Sequence, residues 1–69
     1  MILLRRTTVD GGSTIATFEE EPTHEELYEH LIQYHDDEDH TAECVDELLK
    51  WDEVGMDDSC STVYELEHV

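Results

Sequence analysis

The sequence predicts a small α+β domain of order β-β-α-α-β, a three-stranded, mainly antiparallel sheet with two helices packed on one face. Three observations predict it. Residues 2–18 hold two runs rich in β-branched and aliphatic types around Asp10-Gly11-Gly12. Two later stretches repeat apolar residues at helical spacing, and residues 62–69 alternate apolar with polar. A chain of 69 residues accommodates one such domain, residues 1–69, and no second core.

The first two strands read as a hairpin. Ile2 to Val9 and Ser13 to Phe18 flank glycines that supply the positive φ of a tight turn. The turn centres on Asp10-Gly11 or on Gly11-Gly12, and both choices give the same faces. One face carries Leu3, Arg5, Thr7 and Val9 beside Thr14, Ala16 and Phe18. The other carries Ile2, Leu4, Arg6 and Thr8 beside Ile15, Thr17 and Glu19. The Phe18 face is expected to pack inward, because an aromatic ring contributes the largest buried area.

Pro22-Thr23 opens the first helix. Thr23 and Glu26 have capping-box spacing, and Glu25 and Glu26 suit the positive helix end. Leu27, Tyr28, Leu31, Ile32 and His35 then form one face, so the helix runs to Tyr34 or His35. The acidic stretch from His35 to His40 is a connector. A second helix starts between Asp39 and Thr41, with Ala42, Val45, Leu48 and Leu49 inward and Trp51 at the edge of the stripe. Gly55 suits the position just past its end. Residues 56–61 read as a polar loop. In the last strand, Tyr64 and Leu66 face the core and Glu65 and Glu67 face water.

Charge dominates the composition. The chain has 20 acids against 3 Lys plus Arg, a formal net charge of −17. Residues 1–18 carry a slight positive excess from Arg5 and Arg6, and beyond them Lys50 is the only strong cation. Such a surface repels itself in dilute buffer. Salt near 1 M shortens the Debye length to about 3 Å and removes most of that penalty. Disorder is the rival reading of high charge, but 38% of the chain is hydrophobic and those residues fall in periodic clusters.

This acid-rich, lysine-poor composition resembles that of cytoplasmic proteins from salt-accumulating haloarchaea. The resemblance is compositional and spans the whole chain. No basic, apolar, small-residue N-terminus marks a secretion signal and no apolar run reaches membrane-spanning length, so a cytoplasmic location is expected. Cys44 and Cys60 then read as free thiols. Residues 41–66, with Val45, Leu48, Leu49, Gly55 and Val63-Tyr64-Glu65-Leu66, are similar to the end of a winged-helix domain. That resemblance implies a recognition helix followed by a wing, and DNA binding.

Several groups are candidate sites. His35, His40 and Cys44 are spaced as H-x4-H-x3-C, with Asp36, Asp37 and Asp39 among them and Cys60 and His68 elsewhere. Zinc signatures usually carry close cysteine pairs, and none is present. No metal and no cofactor is expected. Twenty carboxylates guarantee close pairs by chance, so proximity alone indicates no acid–base catalysis. Cys44 lacks a nucleophile signature, and no glycine-rich phosphate loop occurs, so no catalytic residue and no small-molecule substrate is nominated. Phosphate backbones attract Lys and Arg, and the second helix has one lysine among five acids, which disfavours nucleic acid.

The remaining feature is the uncovered sheet face expected from the hairpin. Its Ile2, Leu4 and Ile15, with Arg6 as a polar rim, are the candidate partner interface. The functional expectation is a non-enzymatic acidic interaction module adapted to high salt. Its expected partner is a second copy, in a dimer formed through the hairpin strands, or another protein. The alternative is a winged-helix-like DNA-binding or regulatory module working at molar salt.

Overall fold

A computed structural model describes residues 1–56 and 61–69. Its elements are β1 (Ile2–Thr8), β2 (Gly11–Phe18), α1 (His24–Leu31), α2 (Glu38–Trp51), β3 (Glu53–Gly55) and β4 (Val63–His68), with a short 3-10 turn at Ile32–Tyr34. The strands form one antiparallel sheet of order β2-β1-β4-β3. The α+β class and both helices agree with the sequence reading, but the sheet has four strands instead of three.

The added strand, β3, is three residues long and contains one buried side chain, Val54. Asp52 creates it. Asp52 ends α2 in the left-handed region at φ 64° and donates its N–H to Leu48 O. The reversal lays Glu53–Gly55 beside β4, and Leu66 N–H bonds to Asp52 O at 2.8 Å. Gly55 therefore belongs to a strand and is not the residue that ends the helix.

The hairpin also differs from expectation. Its two-residue loop is Val9-Asp10, because Thr8 pairs with Gly11. Gly11 adopts φ +123°, and a Cβ on Gly12 would meet Thr7 Oγ1 at 2.9 Å. Both glycines thus serve the first pairs after the loop. A β-bulge then leaves Ile15 unpaired between Arg5↔Thr14 and Leu4↔Ala16. One extra residue changes which side chains share a face. Below the bulge, Ala16 and Phe18 stand opposite Leu4 and Ile2.

The expected faces of β1 are consequently inverted. Ile2 is 8% exposed and Leu4 is fully buried, whereas Leu3, Arg5 and Thr7 line the outer face. Phe18 and Ala16 do pack on the core, as expected, and Ile15 joins them. The core unites Ile2, Leu4, Tyr64, Leu66 and Val54 of the sheet with Leu27, Leu31, Cys44, Val45 and Leu48 of the helices. Tyr64 and Leu66 point inward and Glu65 and Glu67 outward, as their alternation predicts.

The helices form for local reasons visible in the sequence. Thr23 Oγ1 accepts the Glu26 N–H, and Glu26 Oε1 accepts the Thr23 N–H, each at 3.2 Å. This capping box satisfies two orphan donors of α1. Asp37 caps α2 by accepting the His40 N–H at 2.9 Å. His24 of α1 lies 3.1 Å from Asp46 of α2. Among the described residues, no helix is long and apolar enough to cross a membrane.

Candidate functional site

The hairpin residues nominated as an interface do not form an open stripe. Ile2 and Leu4 are core, and Ile15 is half-buried against the core. Arg6, on the same inward face, is held by aromatic groups: its Nε donates to Tyr64 Oη at 3.3 Å and its guanidinium lies 4.4 Å from the Tyr34 ring centre. The outer face carries Arg5 beside Glu65 in register and 3.6 Å from Glu67. It is a charged, ion-paired surface.

Arg6 belongs to a polar knot at the rim of the core. His35 Nε2 lies 2.8 Å from Tyr64 Oη, and their rings meet edge to face. Arginine only donates, so Tyr64 Oη accepts from Arg6. The same oxygen is shared with His35 Nε2, so one hydroxyl serves two side chains. Burial, with Arg6 and His40 nearby, lowers the His35 pKa against the opposite pull of Asp36. Burial likewise pushes the Tyr64 phenol up, opposed by Arg6. The knot ties β1, β4 and the segment after α1 together.

The His/Cys cluster separates on folding. His40 and Cys44 are one turn apart on α2, with Nε2 and Sγ 3.8 Å apart. The same Nε2 hydrogen-bonds to the Met56 carbonyl. A carbonyl only accepts, so this nitrogen carries the proton and has no lone pair to take one from the thiol. Burial pushes the Cys44 thiol up, and Glu47 and Glu43 add to the shift. Cys44 is therefore a buried, protonated thiol, the opposite of an activated nucleophile. His35 is committed to Tyr64, His68 lies 3.2 Å from Asp52 at another edge, and Cys60 falls outside the described residues. No group of three or more His, Cys, Asp or Glu among the described residues is arranged to hold a metal ion.

Among the described residues, two sheet edges, β2 and β3, have no further strand beside them. At one, β2 runs Gly-Gly-Ser-Thr-Ile-Ala-Thr-Phe, eight residues without a charge in a chain that is 33% charged. Among the described residues it pairs only with β1, and none of them forms a strand on its outer side. Sheet edges are ordinarily guarded by charge, proline or brevity. The bulge at Ile15 is the one such guard on β2.

At the opposite edge, short β3 is flanked by the end of α2. Trp51, expected at the edge of the core, is 65% exposed. It borders a cleft of about 420 Å³ with Glu47, Glu53, Val54, Gly55 and Val63. Lys50 Nζ lies 5.0 Å from the Trp51 ring centre. Sequence periodicity missed this cleft because it depends on β3. The available signal was the spacing of Glu47 and Trp51, which stacks the two on one helix face. Comparisons with protein-family models, with curated proteins and with solved structures find no match for this chain.

Proposed function

We propose that this chain is a non-enzymatic interaction module of a high-salt cytoplasm that self-associates through the outer edge of its hairpin. The observation that carries the reading is the uncharged edge of β2. Backbone hydrogen bonds between two β2 strands join two sheets into one, with a two-fold axis between the copies.

Charge selects the edge and the direction. Residues 1–18 are the least negative part of the chain, so two copies meet there with least repulsion. Glu19-Glu20-Glu21 follow β2 directly. Parallel pairing would align these triplets in the two copies. Antiparallel pairing sends each toward the Val9-Asp10 turn of the other. The module therefore pairs antiparallel, centred near Thr14 and Ile15. Molar salt screens the remaining repulsion, which fits the acid-rich composition.

Sedimentation in about 2 M salt tests this. The expected result is a monomer–dimer equilibrium that shifts to monomer with Thr14→Glu, whose exposed side chain sits at the proposed axis. A strict monomer at high protein concentration, or a dimer indifferent to Thr14→Glu and Thr14→Pro, overturns the proposal.

A second reading, a winged-helix-like DNA-binding module working at molar salt, draws on one observation. Helix α2 is followed by the antiparallel pair β3–β4, the order of a recognition helix and its wing. The exposed positions of α2 include Glu43, Asp46 and Glu47 against Lys50. This charge favours a protein partner over a phosphate backbone. Duplex binding that persists as salt is raised would favour the second reading.

A further inference from the structure

We infer that the cleft between the end of α2 and the β3 edge is a docking site for an arginine-bearing segment of another protein. The inference is independent of pairing through β2, which lies at the other end of the sheet.

Trp51 is the chain's only tryptophan, and a ring 65% exposed is a large apolar surface left in water. Core packing does not explain it, since α2 already buries Cys44, Val45 and Leu48 on its inner face. Beside the ring, Glu47 and Glu53 line the cleft from two different elements. Among the described residues, neither forms an ion pair. The cleft thus joins an aromatic face to two carboxylates, while Val54 and Val63 supply apolar lining.

That combination matches one kind of side chain. A guanidinium stacks flat on an indole, and its edge donors pair with carboxylates. Its weak hydration makes it easier to seat on an apolar ring than an ammonium. The ring already attracts a cation within the molecule, because the only lysine, Lys50, lies over it. Lys50 is exposed and its stem is flexible, so an incoming guanidinium competes with it for the ring. A net charge of −17 draws any basic segment to this surface, but the Trp51 cleft gives it a defined seat.

The test uses the emission of Trp51 itself. An arginine-glycine decapeptide without aromatic residues is titrated into the whole chain in about 1 M potassium chloride, where the Debye length is near 3 Å and only contact interactions persist. A lysine-glycine decapeptide of equal charge is the comparison. The expected result is a saturable, one-to-one change in emission, with the arginine peptide binding about fivefold more tightly. Glu47→Gln with Glu53→Gln weakens binding by about tenfold, and Lys50→Gln strengthens it. Glu25→Gln with Glu29→Gln removes the same charge from α1 and leaves the affinity within about twofold. Thr14→Glu leaves it unchanged. Emission that does not saturate, equal binding of both peptides, or equal weakening by the α1 pair each overturns the inference. Circular dichroism confirms that every variant is folded.

Discussion

Replacing Tyr64 by phenylalanine isolates the polar knot from the packing around it. Phenylalanine keeps the fully buried ring and removes only the hydroxyl. Two hydrogen bonds disappear: the 2.8 Å bond to His35 and the 3.3 Å bond from Arg6. At about 0.5–1.5 kcal/mol each, somewhat more where one partner is charged, the loss is about 1–3 kcal/mol. A domain of this size has a total stability of only about 3–10 kcal/mol. Each kcal/mol moves Tm by about 4–8 °C, so a mid-range loss lowers it by about 8–16 °C. The assay is thermal unfolding by circular dichroism in about 2 M salt, with the chain well screened. Tyr34→Phe is the control. Tyr34 is 46% exposed, and its hydroxyl has no hydrogen bond among the described residues, so its removal shifts stability by less than about 0.5 kcal/mol. Equal midpoints for the two variants would refute the reasoning, because the buried hydroxyl would then be contributing nothing.

Further expectations concern acidity, salt and the core. Burial beside Arg6 and His40 disfavours a charge on His35. The His35 pKa is lowered on folding, so the unfolded chain takes up the proton first. Stability is full above the usual histidine value of 6.5 and falls as pH drops below it toward the folded value. Arg6 and His40 oppose the added charge and Asp36 favours it. Midpoints measured between about pH 5 and 8 should show this slope, and His35→Gln should flatten it. Glu53 and Glu65 stand directly opposite each other in the β3–β4 pair. Glu53→Lys should therefore stabilise the chain in dilute buffer by about 0.5–1 kcal/mol and lose that advantage in about 2 M salt. A gain unaffected by salt would argue against repulsion as its cause. Leu4→Ala should cost about 2–5 kcal/mol, as a fully buried leucine does, and a loss below about 1 kcal/mol would return Leu4 to an open face.

The parts of the fold that depend on neighbours in sequence were legible. The Thr23–Glu26 capping box, the apolar stripes of both helices and the alternation of Tyr64 and Leu66 each rest on contacts within a few residues. The parts that depend on one irregular residue were not. A hairpin read as regular assigns the faces of β1 by simple alternation, whichever turn is chosen. The bulge at Ile15 reverses the relation between β1 and the inner part of β2. That single irregularity is why alternation puts Phe18 inside and leaves Leu4 on the wrong face. β3 was hidden in the same way, because the left-handed turn at Asp52 bends the chain back where Gly55 offered a more obvious stop. The same displacement moved the site reading. With the aliphatic stripe of β1 inside the core, the accessible features are two edges that local periodicity does not mark.

Those edges differ in a way that the composition alone conceals. Averaged over the chain, −17 describes a uniformly repulsive particle. In the fold, the charge is graded across the sheet. The β2 edge is free of charge, Arg5 and Arg6 occupy the neighbouring strand, and Glu65, Glu67 and Glu53 fill the next two. Like molecules meet least charge along β2 itself, and cationic partners meet carboxylates at the β3 side. Raising salt relaxes both terms, but unequally. Backbone pairing at β2 gains as repulsion fades, whereas a guanidinium at Trp51 loses its long-range attraction and keeps only its contacts. Self-association and cationic binding should therefore move in opposite directions along a salt series. If both weakened together, charge would be acting through destabilisation of the fold, and the gradient across the sheet would have no functional meaning.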